Sequence, residues 1–172
     1  MAVRTNPRQP VVYDMMLLAH AMIRLADFEA RRVGIGHDEY CERQTVFENG
    51  CIKIRGLAQF ISAPKKGGLI SITDPQFGGT ADNRFIRSHF DVIGKYVAHL
   101  QEQRWKKEDR DYPRPKAHDV MTGGREILEY LKPLMDGLEA DLVGDARTWY
   151  GDFKRLYAQM WREPNKTVQA TK

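Results

Sequence analysis

Few cysteines, no long apolar run and no dominant charge set the first limits on this chain. Cys41 and Cys51 are the only cysteines in 172 residues. In a helix their gap of ten corresponds to about 15 Å of axial rise, too far for a disulfide. The most apolar stretch near the start, MMLLAHAMIRLADF, is interrupted by His20, Arg24 and Asp27, so it reads as neither a signal-peptide core nor a membrane span. The expected location is the cytoplasm, with no membrane partner. Charge is nearly balanced: 27 Lys and Arg face 23 Asp and Glu, leaving +4. That permits a nucleic-acid partner without requiring one. Internal repeats and low-complexity segments are missing. The glycine-rich stretch GGLISITDPQFGG lacks the Lys-Ser/Thr ending and the strand–loop–helix setting of a phosphate loop.

What remains is an ordinary globular composition, 42% hydrophobic and 29% charged, at a length that favours one domain with a real core. Beyond a basic leader from Met1 to Pro10, apolar residues at Val11, Met15, Leu18, Met22, Leu25 and Ala26 recur at helical steps and predict a first helix to about Arg32. Gly34 and Gly36 end it. His20, Arg24, Asp27 and Arg31 share its opposite side and read as a solvated face with intrahelical ion pairs. A second helix is expected over Asp38 to Ser62, with Val46, Cys51, Ile54, Leu57, Ala58 and Ile61 facing the core and Asn49-Gly50 weakening its middle. The stretch LISITDPQFGGTAD reads as an ordered loop with room for one short strand or hairpin.

A third helix should open at Asp82 or Asn83 and run to about Lys107. Its stripe of Ile86, Phe90, Ile93, Val97 and Leu100, widened by Phe85, Val92 and Tyr96, suggests a central helix with more than one neighbour. The linker KKEDRDYPRPK leads to a fourth helix marked by Ile127, Leu128, Leu131, Leu134, Met135 and Leu138, with Pro133 as a possible kink. Asp145 to Arg162 form a fifth, using Trp149, Phe153, Leu156, Tyr157, Met160 and Trp161. Residues 1–163 thus read as one all-α up-and-down bundle, and 164–172 as a disordered polar tail.

The chemistry on offer centres on GKYVAHLQEQR, Gly94 to Arg104. His99 falls at the border of the third helix's apolar arc, where an imidazole can be partly buried and still reach a cleft. An interface histidine without chemistry fits the same position. Lys95, one turn earlier, is placed to share an anion with it. His89 lies within the arc and reads as a hydrogen-bonded core residue. Between Arg104 and Lys116 six basic and three acidic residues give a local net of +3. There Arg104, Lys106, Lys107 and Arg110 accompany Trp105 and Tyr112, residues able to stack on unpaired bases. A solvated linker accounts for the same composition. No Glu-x-x-His or His-x-x-x-His spacing supports a metal site from His20, His89 and His118, so neither metal nor cofactor is expected. A cysteine nucleophile would need a histidine partner in space that sequence does not reveal. Cys41 and Cys51 read as packing residues.

LLAHAMIRLADF in the first helix, together with KYVAHL followed by Arg104 in the third, resembles the paired segments of bacterial HEPN-like proteins related to abortive-infection systems, over about Tyr13 to Trp105. That resemblance implies a helical bundle that often dimerises. It also implies metal-independent ribonuclease chemistry through an Arg-x(4–6)-His motif, with a histidine acting on a ribose 2′-hydroxyl and an arginine stabilising phosphate charge. Arg84-x4-His89 and Arg32-x4-His37 have the spacing, with Phe85 and Val33 following the arginines, whereas His99 has no arginine at that spacing, Gly94 standing at x4 and Lys95 one residue nearer. The expectation is a homodimer that binds or cleaves RNA, with His99 as acid/base and Lys95 and Arg104 on phosphate. The alternative is a helical interaction protein without an active site.

Overall fold

The computed structural model describes residue 6 and residues 8–31, 36–62, 70–86, 92–97 and 115–162. Packing starts at α1, Gln9–Ala30, whose buried side chains Val11, Val12, Met15, Leu18, Ala19, Ala21, Met22, Leu25 and Phe28 cover most of its circumference. Pro10 sits in the first turn, where a missing N–H costs nothing. So wide an apolar surface must be covered from several directions. It is covered by α2 (His37–Ser62), α4 (Ala117–Gly137) and α5 (Asp145–Arg162). Residues 92–97 form the helical segment α3, which contributes Ile93 and Val97 to the same core. Every described element is helix, 3-10 turn or loop, so the fold is an all-α bundle, as the periodicities predict.

α1 and α2 run antiparallel, and the ion pairs between them keep that register: Asp14–Lys53 at 2.6 Å, Arg31–Glu39 at 3.7 Å, and the contacts Arg24–Glu42 and Glu29–Arg43. Sequence reading expects the charges of α1 to pair within the helix. Instead Arg24 and Arg31 reach across to Glu42 and Glu39 of α2.

The loop after α2 is ordered for a definite reason. Backbone N–H groups of Ile72 and Asp82 donate to the carbonyls of Phe60 and Ile61 (3.0 and 3.1 Å), which satisfies acceptors that the end of a helix leaves open. Ser62 Oγ donates to the Asp82 carbonyl (2.8 Å), and Phe60 packs edge-on against Phe77. Buried Asp74 closes the turn by accepting from the Ser71 N–H. With its hydrogen bonds committed to capping, residues 70–82 form an ordered loop of turns, as expected, and the room for a short strand or hairpin is not used. Asp82 does act as a cap, accepting from the Arg84 N–H at 2.9 Å, but it opens a 3-10 turn, Asn83–Ile86.

Two local departures from the sequence expectation have clear causes. α4 begins at Ala117, ten residues before its first obvious apolar stripe, and Asp119 caps it by accepting from the Lys116 N–H (2.6 Å). Gly123 and Gly124 lie inside this helix and are buried. In α5 the core side is carried by Ala146, Tyr150 and Phe153, while Trp149, Leu156, Tyr157, Met160 and Trp161 are only partly buried. The apolar arc of α5 is wider than the face it buries. Tyr150 belongs inside because its hydroxyl has a partner there, donating to Asp136 Oδ1 at 2.7 Å.

Gly50 shows what sets the distance between helices. A Cβ at this position would stand 2.8 Å from Val120 Cγ1, so the backbone of α2 touches a stiff, buried β-branched side chain of α4. Far from weakening the helix to no purpose, this glycine permits the contact. Gly50→Leu should lower stability by about 2–3 kcal/mol through overpacking. Gly151→Ala, on the exposed side of α5 with open space around it, should instead raise it by about 0.5–1 kcal/mol. Thermal unfolding of the two variants measures both signs.

Candidate functional site

Where the second half of α1, the first half of α2, α3 and the entry to α4 meet, they enclose an open cleft of about 200 Å³. Leu25 of α1 and Phe47 form apolar wall, Pro115 and Ala117 close one side, and Tyr40, Arg43, Gln44 and Tyr96 supply polar atoms. The α2 residues 40, 43, 44 and 47 follow helical spacing, so they present one strip to the cleft. Tyr96 is held against that strip: its ring meets Phe47 edge-on at 5.8 Å, and its hydroxyl accepts from Gln44 Nε2 at 3.4 Å. Gln44 also donates to Glu48 at 2.9 Å, which orients the amide. Arg43 is anchored by Glu29.

Chemically the cleft offers three aromatic rings, one amide with both donor and acceptor atoms, and one guanidinium already partnered by a carboxylate. Such a set suits a planar, polar-edged group that stacks and hydrogen-bonds. Tyr40 lines the cleft while 58% exposed, so its ring is open to solvent.

The residues singled out by sequence fall into two groups. Lys95 is described: it is exposed on α3, next to Tyr96. His89, His99, Arg104, Trp105, Lys106, Lys107 and Arg110 lie outside the described residues, as do Arg32, Tyr112 and the 164–172 segment. Arg84, the arginine of one candidate motif, is held by Asp82 through Nε and Nη2 at 2.8 and 2.6 Å. These bonds hold the Asp82 carboxyl below its usual range and the Arg84 guanidinium above its own. His37 of the second motif is exposed at the first residue of α2. His20 and His118 are exposed on α1 and α4, and His118 Nε2 lies 3.4 Å from Thr122 Oγ1. Among the described residues no three metal-ligating side chains converge.

The two cysteines prove unlike each other. Cys51 is buried in the core, as expected, and burial together with nearby Glu48 and Asp119 pushes its thiol up to about 12. Cys41 is not a packing residue. It is an exposed free thiol whose Sγ lies 3.7 Å from His37 Nε2. Cys41 precedes Gln44 and follows Tyr40, so it flanks the cleft strip rather than turning into the bundle. His37-x3-Cys41 spacing was visible in the sequence, but the glycine-rich turn before it concealed that His37 already belongs to the helix.

No family model matches the chain, and neither a curated protein nor a solved structure does. No helix among the described residues is long and apolar enough to cross a membrane. The contrast between the thiols predicts that a maleimide modifies one cysteine per folded chain quickly and the second only after denaturation; intact-mass spectrometry counts the adducts. Two fast adducts on the folded protein would contradict the burial of Cys51.

Proposed function

We propose that the protein binds single-stranded RNA by seating one unpaired base in the α2–α3 cleft, and that it cleaves the chain as a HEPN-like, metal-independent ribonuclease. The observation that carries this reading is that Tyr96, from the same short stretch as Lys95 and His99, lines an aromatic cleft together with Tyr40, Arg43 and Gln44. Stacking on an aromatic ring contributes about 1–3 kcal/mol per base and tolerates any sequence. The Gln44 amide and the Arg43 guanidinium address the base's polar edge. Lys95 and Arg104 contact phosphate, and Trp105, Lys106, Lys107 and Arg110 extend the track along the strand. His99 takes the proton from the 2′-hydroxyl as its oxygen attacks phosphorus, and a proton is returned to the departing 5′ oxygen. In this reading the protein works as a homodimer.

A second reading, a helical interaction protein without chemistry, draws support from a different observation. Arg8, Arg24, Arg31, Arg43, Lys53 and Arg84 each face a carboxylate of the bundle itself, which leaves these cations little unspent charge for a polyanion.

Fluorescence anisotropy with a labelled single-stranded RNA at two salt concentrations separates the two. RNA binding that weakens with salt, and a loss of about 1–3 kcal/mol in Tyr40→Ala, are expected from the first; Tyr40 is exposed enough for its removal to spare the core. Cleavage of mixed RNA in EDTA, abolished by His99→Ala in a protein of unchanged circular dichroism, is expected of the enzyme. Absence of both binding and cleavage would leave the interaction protein.

A further inference from the structure

His37 and Cys41 form an arrangement on α2 that the RNA reading does not use. They stand one helical turn apart at i and i+4, both exposed, with Nε2 3.7 Å from Sγ. Three properties of this pair point to a metal. Its separation comes first: a tetrahedral zinc ion, with bonds of about 2.3 Å to sulfur and about 2.05 Å to nitrogen, spaces its two ligand atoms about 3.5 Å apart. The two side chains thus already stand near the bite of a chelate.

Ligand type is the second. A thiolate and an imidazole together favour zinc-class, thiophilic cations, whereas magnesium and calcium require oxygen ligands. Third is the local field. The amino end of α2 carries about half a positive charge, which opposes a cation. Asp38 and Glu39 in the first turn, and Glu42 next to Cys41, oppose that dipole. Arg31 and Arg24 neutralise Glu39 and Glu42, yet Asp38 and the sulfur, once deprotonated, leave the balance negative.

We propose that His37 and Cys41 form a two-residue chelate for a zinc-class divalent cation, one per chain, with water in the remaining coordination positions. On binding, the thiol proton passes to solvent, a sulfur–metal and a nitrogen–metal bond replace two metal–water bonds, and nothing is oxidised or reduced. By helix register the pair borders the strip of Tyr40, Gln44 and Phe47, so the ion adds positive charge to the rim of the cleft and clips together the first turn of α2. The site stands independently of the RNA reading, since neither ligand lines the cleft.

Cadmium serves as the probe because its thiolate bond has an ultraviolet charge-transfer band. Titrating the reduced, full-length protein should give that band with a stoichiometry of one, and zinc but not magnesium should displace the ion. Cys41→Ser should abolish the band, and His37→Ala should weaken binding by about 100-fold; both residues are exposed, so circular dichroism should stay unchanged. On the unaltered protein, saturating zinc should slow maleimide labelling of Cys41 by at least about tenfold. A band that survives Cys41→Ser, an affinity indifferent to His37→Ala, or a labelling rate unaffected by zinc would each overturn the assignment.

Discussion

The apolar surface of α1 is the constraint on which the rest of the bundle depends. It buries side chains over more than half of its circumference, so it is stable only when α2, α4 and α5 pack around it. Enclosure at this density requires that backbones come close where side chains cannot fit. Gly50 admits Val120 of α4, and Gly124 admits Met22 and Leu18 of α1; a Cβ on Gly124 would lie 2.6 Å from Met22 Sδ. The two glycines therefore place α4 against both members of the α1–α2 pair. The polar contacts come afterwards. Interhelical ion pairs at the exposed seam select the antiparallel register, although each such pair at a solvated surface contributes under about 1 kcal/mol.

That geometry also creates the cleft. α1 and α2 lie antiparallel, and α4 meets α2 near its middle at Gly50, so among the described residues the amino-terminal half of α2 keeps one side uncovered by α4. Tyr96 from α3 and the Pro115–Ala117 entry to α4 border that side without filling it. The residues facing the gap are amphipathic: tyrosine, arginine, glutamine and phenylalanine tolerate partial exposure where leucine or valine would demand burial. A strip of this kind along a helix whose other side is core is compatible with recognition of a flat, polar-edged group.

Much of the architecture was legible in the sequence, because helical periodicity is a local property. α2 and α5 were placed within a residue of their observed limits, and the ordered loop and its Asp82 cap were visible from residue type alone. Three kinds of feature were not legible. The first ten residues of α4 carry few of the regularly spaced apolar positions that mark its later turns, so its start at Ala117 went unread. In an amphipathic helix with aromatics on several sides, the buried face depends on the partner; Tyr150 went unnoticed because its hydroxyl is satisfied by Asp136, a residue distant in sequence. The candidate cleft itself is assembled from four segments, and its α2 strip looked like an ordinary helical surface. Of the catalytic set drawn from sequence, Lys95 alone falls among the described residues, beside the cleft rather than in its wall.

Ultraviolet crosslinking of single-stranded RNA to the intact protein, followed by mass-spectrometric mapping of the attached nucleotides, tests the central claim most directly. Adducts concentrated on Tyr40, Phe47 and Tyr96 are the predicted result. Adducts spread over the far side of α4 and α5, or none at concentrations that saturate binding, would contradict a base-seating cleft between α2 and α3.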